Sequence, residues 1–278
     1  MTTMVIDAHQ HCWQLQRPEC QWPTPELPAL YRDFGPEDWR AQALPQGVAG
    51  SVLVQSQPDE RDTDYLLSLA DRHDWILGVV GWVDLKAADA PERIAALSER
   101  SKLRGLRPML QALEDDHWID DPALDPAIAA MVENRLVFDA LVYTRHLPPL
   151  RRFARRHEAL TIVLDHAAKP PIATGERRAW QREMQALAEA PNIYCKLSGL
   201  LTEAGTQKTL EHLQPWVDDL LAWFGPQRLL WGSDWPVVNA VADYAHWSEL
   251  TGQLLAALTE SERSAVWGET ARRVYRLK

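Results

Sequence analysis

Short apolar runs recur along the chain at regular intervals, separated by longer segments in which apolar residues follow helical spacing. Some runs, such as 51–54 and 161–164, are apolar at nearly every position, which is typical of parallel strands covered on both faces. The pattern predicts eight strands, at residues 4–8, 50–55, 76–83, 103–106, 136–143, 160–165, 193–197 and 229–232.

Amphipathic spacing predicts helices between these strands. Pro91 suits a first helical turn, and Gly225-Pro226 suits a stop. The predicted helices cover residues 65–72, 91–100, 124–134, 149–157, 177–189, 206–224, 240–258 and 260–275. Eight strands alternating with helices indicate a (β/α)8 TIM barrel, in one domain covering 1–278. An open doubly wound sheet is the alternative, but no GxGxxG loop follows the first strand.

Composition narrows the class of partner. The 278 residues carry a formal charge of -10, which argues against nucleic acid and anionic membranes and leaves a small molecule. No apolar run approaches the ~18 residues of a membrane span, and no secretory signal opens the chain. The three cysteines show no CxxC spacing, which favours a reducing compartment. A cytoplasmic protein is expected.

The first strand ends in Asp7-Ala8-His9-Gln10-His11. Side chains at i and i+2 of a strand share a face, so His9 and His11 should project together. Two adjacent imidazoles suit a borderline-soft divalent ion such as zinc. Alone, the motif more often marks two surface or packing histidines.

Polar residues also follow the later strands, at the end where such barrels carry their chemistry. Individually, Asp165 and Asp234 could cap helices, His166 could be a core histidine, and Arg107 and Lys196 could form ordinary surface interactions. Their coincidence on one rim favours a functional site. The rim residues are Arg107 after strand four, Tyr143 to His146 after strand five, Asp165 to Lys169 after strand six, Lys196 to Ser198 on strand seven and Ser233 to Pro236 after strand eight.

These motifs resemble the lactonase-type branch of the amidohydrolase superfamily, and most closely its L-fuconolactonase-like and L-rhamnonolactonase-like TIM-barrel hydrolases. The resemblance covers nearly the whole chain. It rests on four stretches taken together: Asp7-Ala8-His9-Gln10-His11-Cys12-Trp13, Asp165-His166-Ala167-Ala168-Lys169-Pro170, Lys196-Leu197-Ser198-Gly199-Leu200 and Gly232-Ser233-Asp234-Trp235-Pro236.

The resemblance implies hydrolysis of a sugar lactone to its aldonic acid. His9 and His11 are then the metal-ligand pair, joined by His166 and Asp234, and Asp234 transfers the water proton as general base and acid. Arg107 and Lys196 are expected to meet substrate oxygens. No bridging lysine or glutamate of the two-metal members is evident, so the choice lies between one divalent ion, with zinc preferred, and a metal-independent site.

Two further features bear on the substrate. Trp13, Trp82 and Trp235 follow rim strands, and flat apolar faces suit the walls of a ring-shaped ligand. The proline-rich segment from Pro18 to Pro36 is either a lid over the barrel mouth or a plain surface excursion.

Three other functions stay open. A metal-dependent decarboxylase of the same superfamily would use a similar residue set. A 2-pyrone-4,6-dicarboxylate-type lactonase would want several converging arginines, for which the rim offers Arg107 and Arg145. A non-catalytic sugar-acid binder is the least favoured, since the catalytic-type residues are all retained.

Overall fold

The apolar runs form eight parallel strands in the computed structural model, which describes residues 4–278. Each strand pairs with the one that follows it in sequence, so the sheet order is β1 to β8. The strands are β1 (Val5–Gln10), β2 (Val48–Val54), β3 (Ile76–Gly81), β4 (Leu103–Leu106), β5 (Val137–Ala140), β6 (Ile162–Leu164), β7 (Ile193–Leu197) and β8 (Leu229–Trp231).

The sheet closes because the segment after β8 bonds to β1. His11 N donates to Trp235 O at 2.8 Å, and Asp234 N donates to His9 O at 2.9 Å. A parallel bridge between Gln10 and Trp235 lies at the same place. Closure confirms the predicted (β/α)8 TIM barrel.

Helices cover the outside of the barrel. They are α1 (Pro36–Ala43), α2 (Glu60–Arg72), α3 (Ala90–Ser98), α4 (Asp125–Glu133), α5 (Leu147–Arg156), α6 (Arg177–Ala188), α7 (Leu200–Glu203), α8 (Leu210–Phe224), α9 (Tyr244–Leu254), α10 (Glu260–Ser264) and α11 (Thr270–Val274).

Several helical regions differ from the sequence prediction, among them α2, which begins at Glu60, and the short α7, which the pattern does not predict. Helix α1 was not predicted because its apolar stripe is weak, although Pro36 opens it and its Trp39 is fully buried. The predicted helix 206–224 starts only at Leu210. The last predicted helix is interrupted by a π-helical turn, Ala265–Glu269.

The apolar core has two layers. The outer layer packs helices against the outside of the sheet, and the inner layer fills the barrel with small branched side chains such as Val52, Val80 and Val163. The C-terminal segment joins the inner layer through Val274 and Tyr275. It therefore closes the end at which the strands begin and leaves the other end open.

Among residues 4–278, no helix combines the length and apolarity that a bilayer span requires.

A substitution at Gly268 tests how tightly this closed end of the barrel is packed. A Cβ at Gly268 would overlap the carbonyl oxygen of Met4, just before β1. We expect Gly268→Ala to lower the free energy of unfolding by about 1–3 kcal/mol, the usual cost of overpacking. Chemical denaturation checks this. The matched control is Gly252→Ala in α9, where nothing lies within 4 Å of the new Cβ; equal effects of the two variants would contradict the packing argument.

Candidate active site

A cavity of about 350 Å³ opens at the carboxyl ends of the strands. It combines ionisable groups, amides and an apolar wall, which is the usual composition of a small-molecule site. Its lining residues are His11, Gln21, Trp22, Ser56, Gln57, Pro58, Arg107, Met109, Gln111, Ala112, Leu141, His166, Lys169, Asp234 and Val237.

His9 on β1 and His11 just after it meet at the base of this cavity, where His11 is part of the lining and His9 is fully buried beneath it. Their Nε2 atoms lie 3.1 Å apart. Nδ1 of His11 lies 2.8 Å from the carbonyl oxygen of Val54. A carbonyl accepts only, so Nδ1 of His11 carries the proton and donates it to Val54, and Nε2 offers a lone pair to the cavity.

Asp234 is held over these histidines by the buried carboxylate of Asp7. Ser233 donates to Asp7 through its backbone N at 2.8 Å and its hydroxyl at 2.6 Å. Trp39 Nε1 and the Tyr244 hydroxyl donate to Asp7 Oδ2 at 2.9 and 3.2 Å. Burial raises the pKa of Asp7, and the donors from Ser233 and Trp39 oppose that rise. Asp7 therefore acts as a structural anchor for the loop that carries Asp234.

His166 is placed by a left-handed backbone turn. Four consecutive residues from His166 to Lys169 have φ between 49° and 58°, and none is glycine. Such conformations cost free energy and cluster at functional sites. Trp180 Nε1 donates to Ala167 O at 2.8 Å and supports the turn. The absent side chain of Gly199 leaves room for the imidazole, since a Cβ there would lie 2.7 Å from His166 Cγ.

Three imidazoles surround one carboxylate oxygen. Asp234 Oδ1 lies 3.4 Å from Nε2 of His11 and 3.8 Å from Nε2 of both His9 and His166. Burial lowers the pKa of His166 to about 4 and that of His9 well below its ordinary value. Burial opposes ionisation of Asp234, but the surrounding imidazoles outweigh it and lower its pKa. The cluster therefore presents the neutral imidazoles of His9 and His166 to a carboxylate anion.

This cluster fits a divalent ion. The ligand atoms of His9, His11 and Asp234 lie within 4.8 Å of one another. In a tetrahedral zinc site, ligand atoms ~2.0–2.1 Å from the ion are roughly 3.3 Å apart, close to the distances here. Acceptors also lie beside the outer ring nitrogens, Val54 O for His11 and Asp165 Oδ1 at 3.3 Å for His9. An imidazole that donates from Nδ1 to such an acceptor leaves the lone pair of its Nε2 for a metal.

Below the cluster lies a network of buried charges. Lys196 Nζ lies 2.5 Å from Asp139 Oδ2 and 2.9 Å from Asp165 Oδ1, and the Tyr275 hydroxyl donates to both oxygens of Asp139. Burial raises the pKa of Asp139 to about 6, although Lys196 opposes the rise. Burial also disfavours ionisation of Asp165, but the charge of Lys196 and contact with His9 hold its pKa well below the ordinary value.

This network changes the sequence-based interpretation of Lys196. Its side chain is fully buried and is not part of the cavity lining, so it does not reach the space where a substrate oxygen would lie. Arg107 does line the cavity. Its Nη1 pairs with Asp165 at 3.2 Å, its Nη2 donates to Gln55 O, and its buried Nε has no protein partner.

The tryptophans proposed as walls lie elsewhere. Trp13 is buried against Phe34 with its Nε1 bonded to Arg32 O, and Trp235 packs on the other side of Phe34. Trp82 lies beside α2, where its backbone bonds to the Thr63 hydroxyl. None of the three tryptophans lines the cavity: Trp13 and Trp235 are buried in the core, and Trp82 is half-buried beside α2.

Trp22 forms the aromatic wall instead, from the 18–36 segment. Gln57 fixes it: Oε1 accepts from the backbone N of Gln21 and Trp22, and Nε2 donates to Trp22 O at 2.7 Å. The far end of the segment is bound to Trp13 through paired backbone hydrogen bonds with Phe34. Gln21 and Trp22 of the proline-rich segment therefore form part of the cavity wall.

Sequence reasoning also missed cavity residues that follow no motif. Gln57, Met109 and Gln111 line the cavity but are ordinary loop residues in the sequence, and Leu141 also lines it although the sequence placed it in the fifth strand. Lys169 and Ser198 lay within the recognised motifs without an assigned role. Ser198 Oγ lies 2.9 Å from Nδ1 of His166 and orients that ring.

The chain belongs to the amidohydrolase family, whose model matches residues 6–277. This family consists of TIM-barrel enzymes whose chemistry lies where the cluster described above is found.

Two similar proteins carry names that state an activity. The chain is 50% identical over 279 residues to the L-fucono-1,5-lactonase of Burkholderia ambifaria, a match that covers 99% of this chain and 96% of the relative. It is 37% identical to the L-fucono-1,5-lactonase of Burkholderia multivorans, over 100% of this chain and 97% of that one. A zinc-bound crystal structure of an amidohydrolase from Burkholderia multivorans superposes with a TM-score of 0.92 at 37% identity, covering 99% of this chain and 100% of the other.

Gly199 tests whether the position of His166 matters. We expect Gly199→Ala to lower kcat/KM by about 100-fold, since misplacing a reacting group by ~1 Å can cost that much. Steady-state kinetics on a lactone substrate checks this. Gly175→Ala is the matched control: Gly175 also has a positive φ, of 71°, but nothing lies within 4 Å of its Cβ. A similar loss in both variants would attribute the effect to backbone strain alone.

Proposed function

We propose that this protein hydrolyses a sugar lactone, of the L-fucono-1,5-lactone type, to the aldonic acid. The observation that carries the proposal is the Asp234 carboxylate ringed by three imidazoles at the base of a cavity of small-molecule size. The names of the two Burkholderia lactonases support the choice of substrate. The match of the family model to nearly the whole chain supports a single domain.

Lactone hydrolysis requires a water to lose a proton, a carbonyl to be polarised and a ring oxygen to gain a proton. We assign the proton transfers to Asp234, which accepts the water proton as the C–O bond forms and returns it to the ring oxygen as the ring C–O bond breaks. His166 is oriented by Ser198 to place Nε2 near the same carboxylate, where it would support the reacting carbonyl or water.

We propose that a divalent ion is the cofactor of this site and that the ion is zinc. The crystal structure of the Burkholderia multivorans amidohydrolase contains bound zinc. His9, His11 and Asp234 would hold it, with His166 as the neighbouring ligand. When bound, such an ion polarises a carbonyl or lowers the pKa of a water.

The cavity favours a neutral polyol over a dicarboxylate. Arg107 is its only arginine among the described residues, and Asp165 already pairs with it. Arg145, the second predicted rim arginine, pairs with Asp116 at 2.9 Å outside the cavity. Gln21, Gln57 and Gln111 supply amides suited to sugar hydroxyls.

Proton release with a pH indicator, across a panel of sugar lactones, tests the reaction. We expect hydrolysis of L-fucono- and L-rhamnonolactone and no turnover of 2-pyrone-4,6-dicarboxylate. Parallel assays after chelation report whether the activity needs a divalent ion. Absence of turnover across the panel, or release of carbon dioxide from aromatic acids, would contradict lactone hydrolysis.

Asp234→Asn tests the assigned base. The amide cannot accept the water proton, so we expect lactone turnover to vanish while circular dichroism and the unfolding midpoint stay close to those of the wild type. Asp84→Asn is the matched control, since Asp84 is an exposed carboxylate just beyond β3. Wild-type rates in Asp234→Asn would refute the assignment.

The imidazoles are tested separately. We expect His9→Ala and His166→Ala each to lower kcat/KM by at least about 100-fold, the range found when a preorganised donor is removed. Exposed His212 provides the control, His212→Ala. A change of only a few fold would remove that histidine from the reacting set.

A further inference from the structure

Lys196 lies directly beside the first histidine of the His-x-His pair, on the side away from the cavity. This lysine is fully buried on β7, and its Nζ has three partners. Two are the carboxylates of Asp139 and Asp165, at 2.5 and 2.9 Å. The third is Nδ1 of His9, at 3.0 Å.

Nδ1 of His9 therefore lies next to one hydrogen-bond donor and one hydrogen-bond acceptor. The ammonium of Lys196 can only donate, whereas Asp165 Oδ1, 3.3 Å away, can only accept. A neutral imidazole has one proton. Nδ1 either accepts from Lys196 and leaves the proton on Nε2, or donates to Asp165 and leaves Nε2 as a lone pair.

The first arrangement satisfies every group of the pair. Lys196 donates to His9 Nδ1, and His9 Nε2–H then donates to His11 Nε2 across 3.1 Å. His11 Nδ1–H in turn donates to Val54 O at 2.8 Å. The result is an unbroken chain of hydrogen bonds from the buried ammonium to β2, in which His9 Nε2 carries a proton and cannot ligate an ion.

The second arrangement is the one that an ion requires. His9 must then donate from Nδ1 to Asp165, so the hydrogen bonds from Lys196 to His9 and from His9 to His11 are both lost. The ammonium also remains 3.0 Å from a ring that now carries a bound cation. Both changes oppose binding.

We propose that Lys196 is a positioning residue that holds His9 in its Nε2–H form and thereby weakens the affinity of the His9–His11–Asp234 cluster for divalent ions. This inference rests on the proposed ion site and not on the lactone reaction. It assigns a function to a buried cation that the proposed hydrolysis does not use directly.

Zinc binding to the full-length apoprotein, measured by competition with a chelating dye, tests the proposal. The variant is Lys196→Met with Asp139→Asn, which removes one charge of each sign and leaves an acceptor for the Tyr275 hydroxyl. With Lys196 gone, Nδ1 of His9 is free to donate to Asp165. We expect zinc to bind about 10-fold more tightly, the lower end of the effects seen for partners of metal ligands.

The matched control is Lys86→Met with Asp121→Asn. It removes another lysine–aspartate pair, 2.6 Å apart, whose residues are not part of the cavity lining. We expect its zinc affinity to equal that of the wild type. Unchanged or weaker zinc binding in the folded Lys196→Met/Asp139→Asn protein would overturn the proposal.

A second measurement needs no variant. Nitrogen-15 NMR of the zinc-free wild type reports which ring nitrogen of His9 carries the proton. We expect Nε2–H for His9 and Nδ1–H for His11. Finding Nδ1–H on His9 would overturn the proposal even if the double variant failed to fold. Neither measurement uses a lactone, so neither depends on the reaction proposed above.

Discussion

The rest of the site depends on the hydrogen bonds that the buried carboxylate of Asp7 accepts. It accepts hydrogen bonds from Ser233, Trp39 and Tyr244, which lie on the loop after β8 and on helices α1 and α9. A buried acceptor left without donors is costly, so these elements must meet at Asp7. Their meeting joins the last strand to the first and places Asp234 above the two histidines of β1.

Several charged side chains lie in the buried, low-dielectric part of the site. Ion pairs between them offset the cost of burying each charge. Lys196 lies between Asp139 and Asp165, and Arg107 shares Asp165. An unpaired charge at this depth would cost several kcal/mol. Pairing below the cavity leaves Asp234 as the carboxylate that faces the open space, beside the imidazoles of His9 and His166, whose pKa values burial lowers.

Backbone strain coincides with the proposed chemistry. His166 and Asp234 both occupy the left-handed region, with φ of 50° and 57°. Non-glycine residues persist there only when their surroundings fix them. Trp180 and the space left by Gly199 fix the first, and Asp7 acting through Ser233 fixes the second. Both side chains can therefore point across the barrel mouth toward His9 and His11.

Local pattern in the sequence determined the architecture and the main members of the cluster. Continuous apolar runs identified the strands, and because the carboxyl ends of parallel strands share one rim, His9, His11, His166 and Asp234 had to lie near one another. Which side chains reach the cavity depended on contacts between residues far apart in the chain. Lys196 is buried against Asp139 of β5 and Asp165, the residue after β6. Trp13 and Trp235 both pack against Phe34. Trp22 lines the cavity because Gln57 binds its backbone. The two residues are far apart in the chain, so the sequence pattern does not predict this contact.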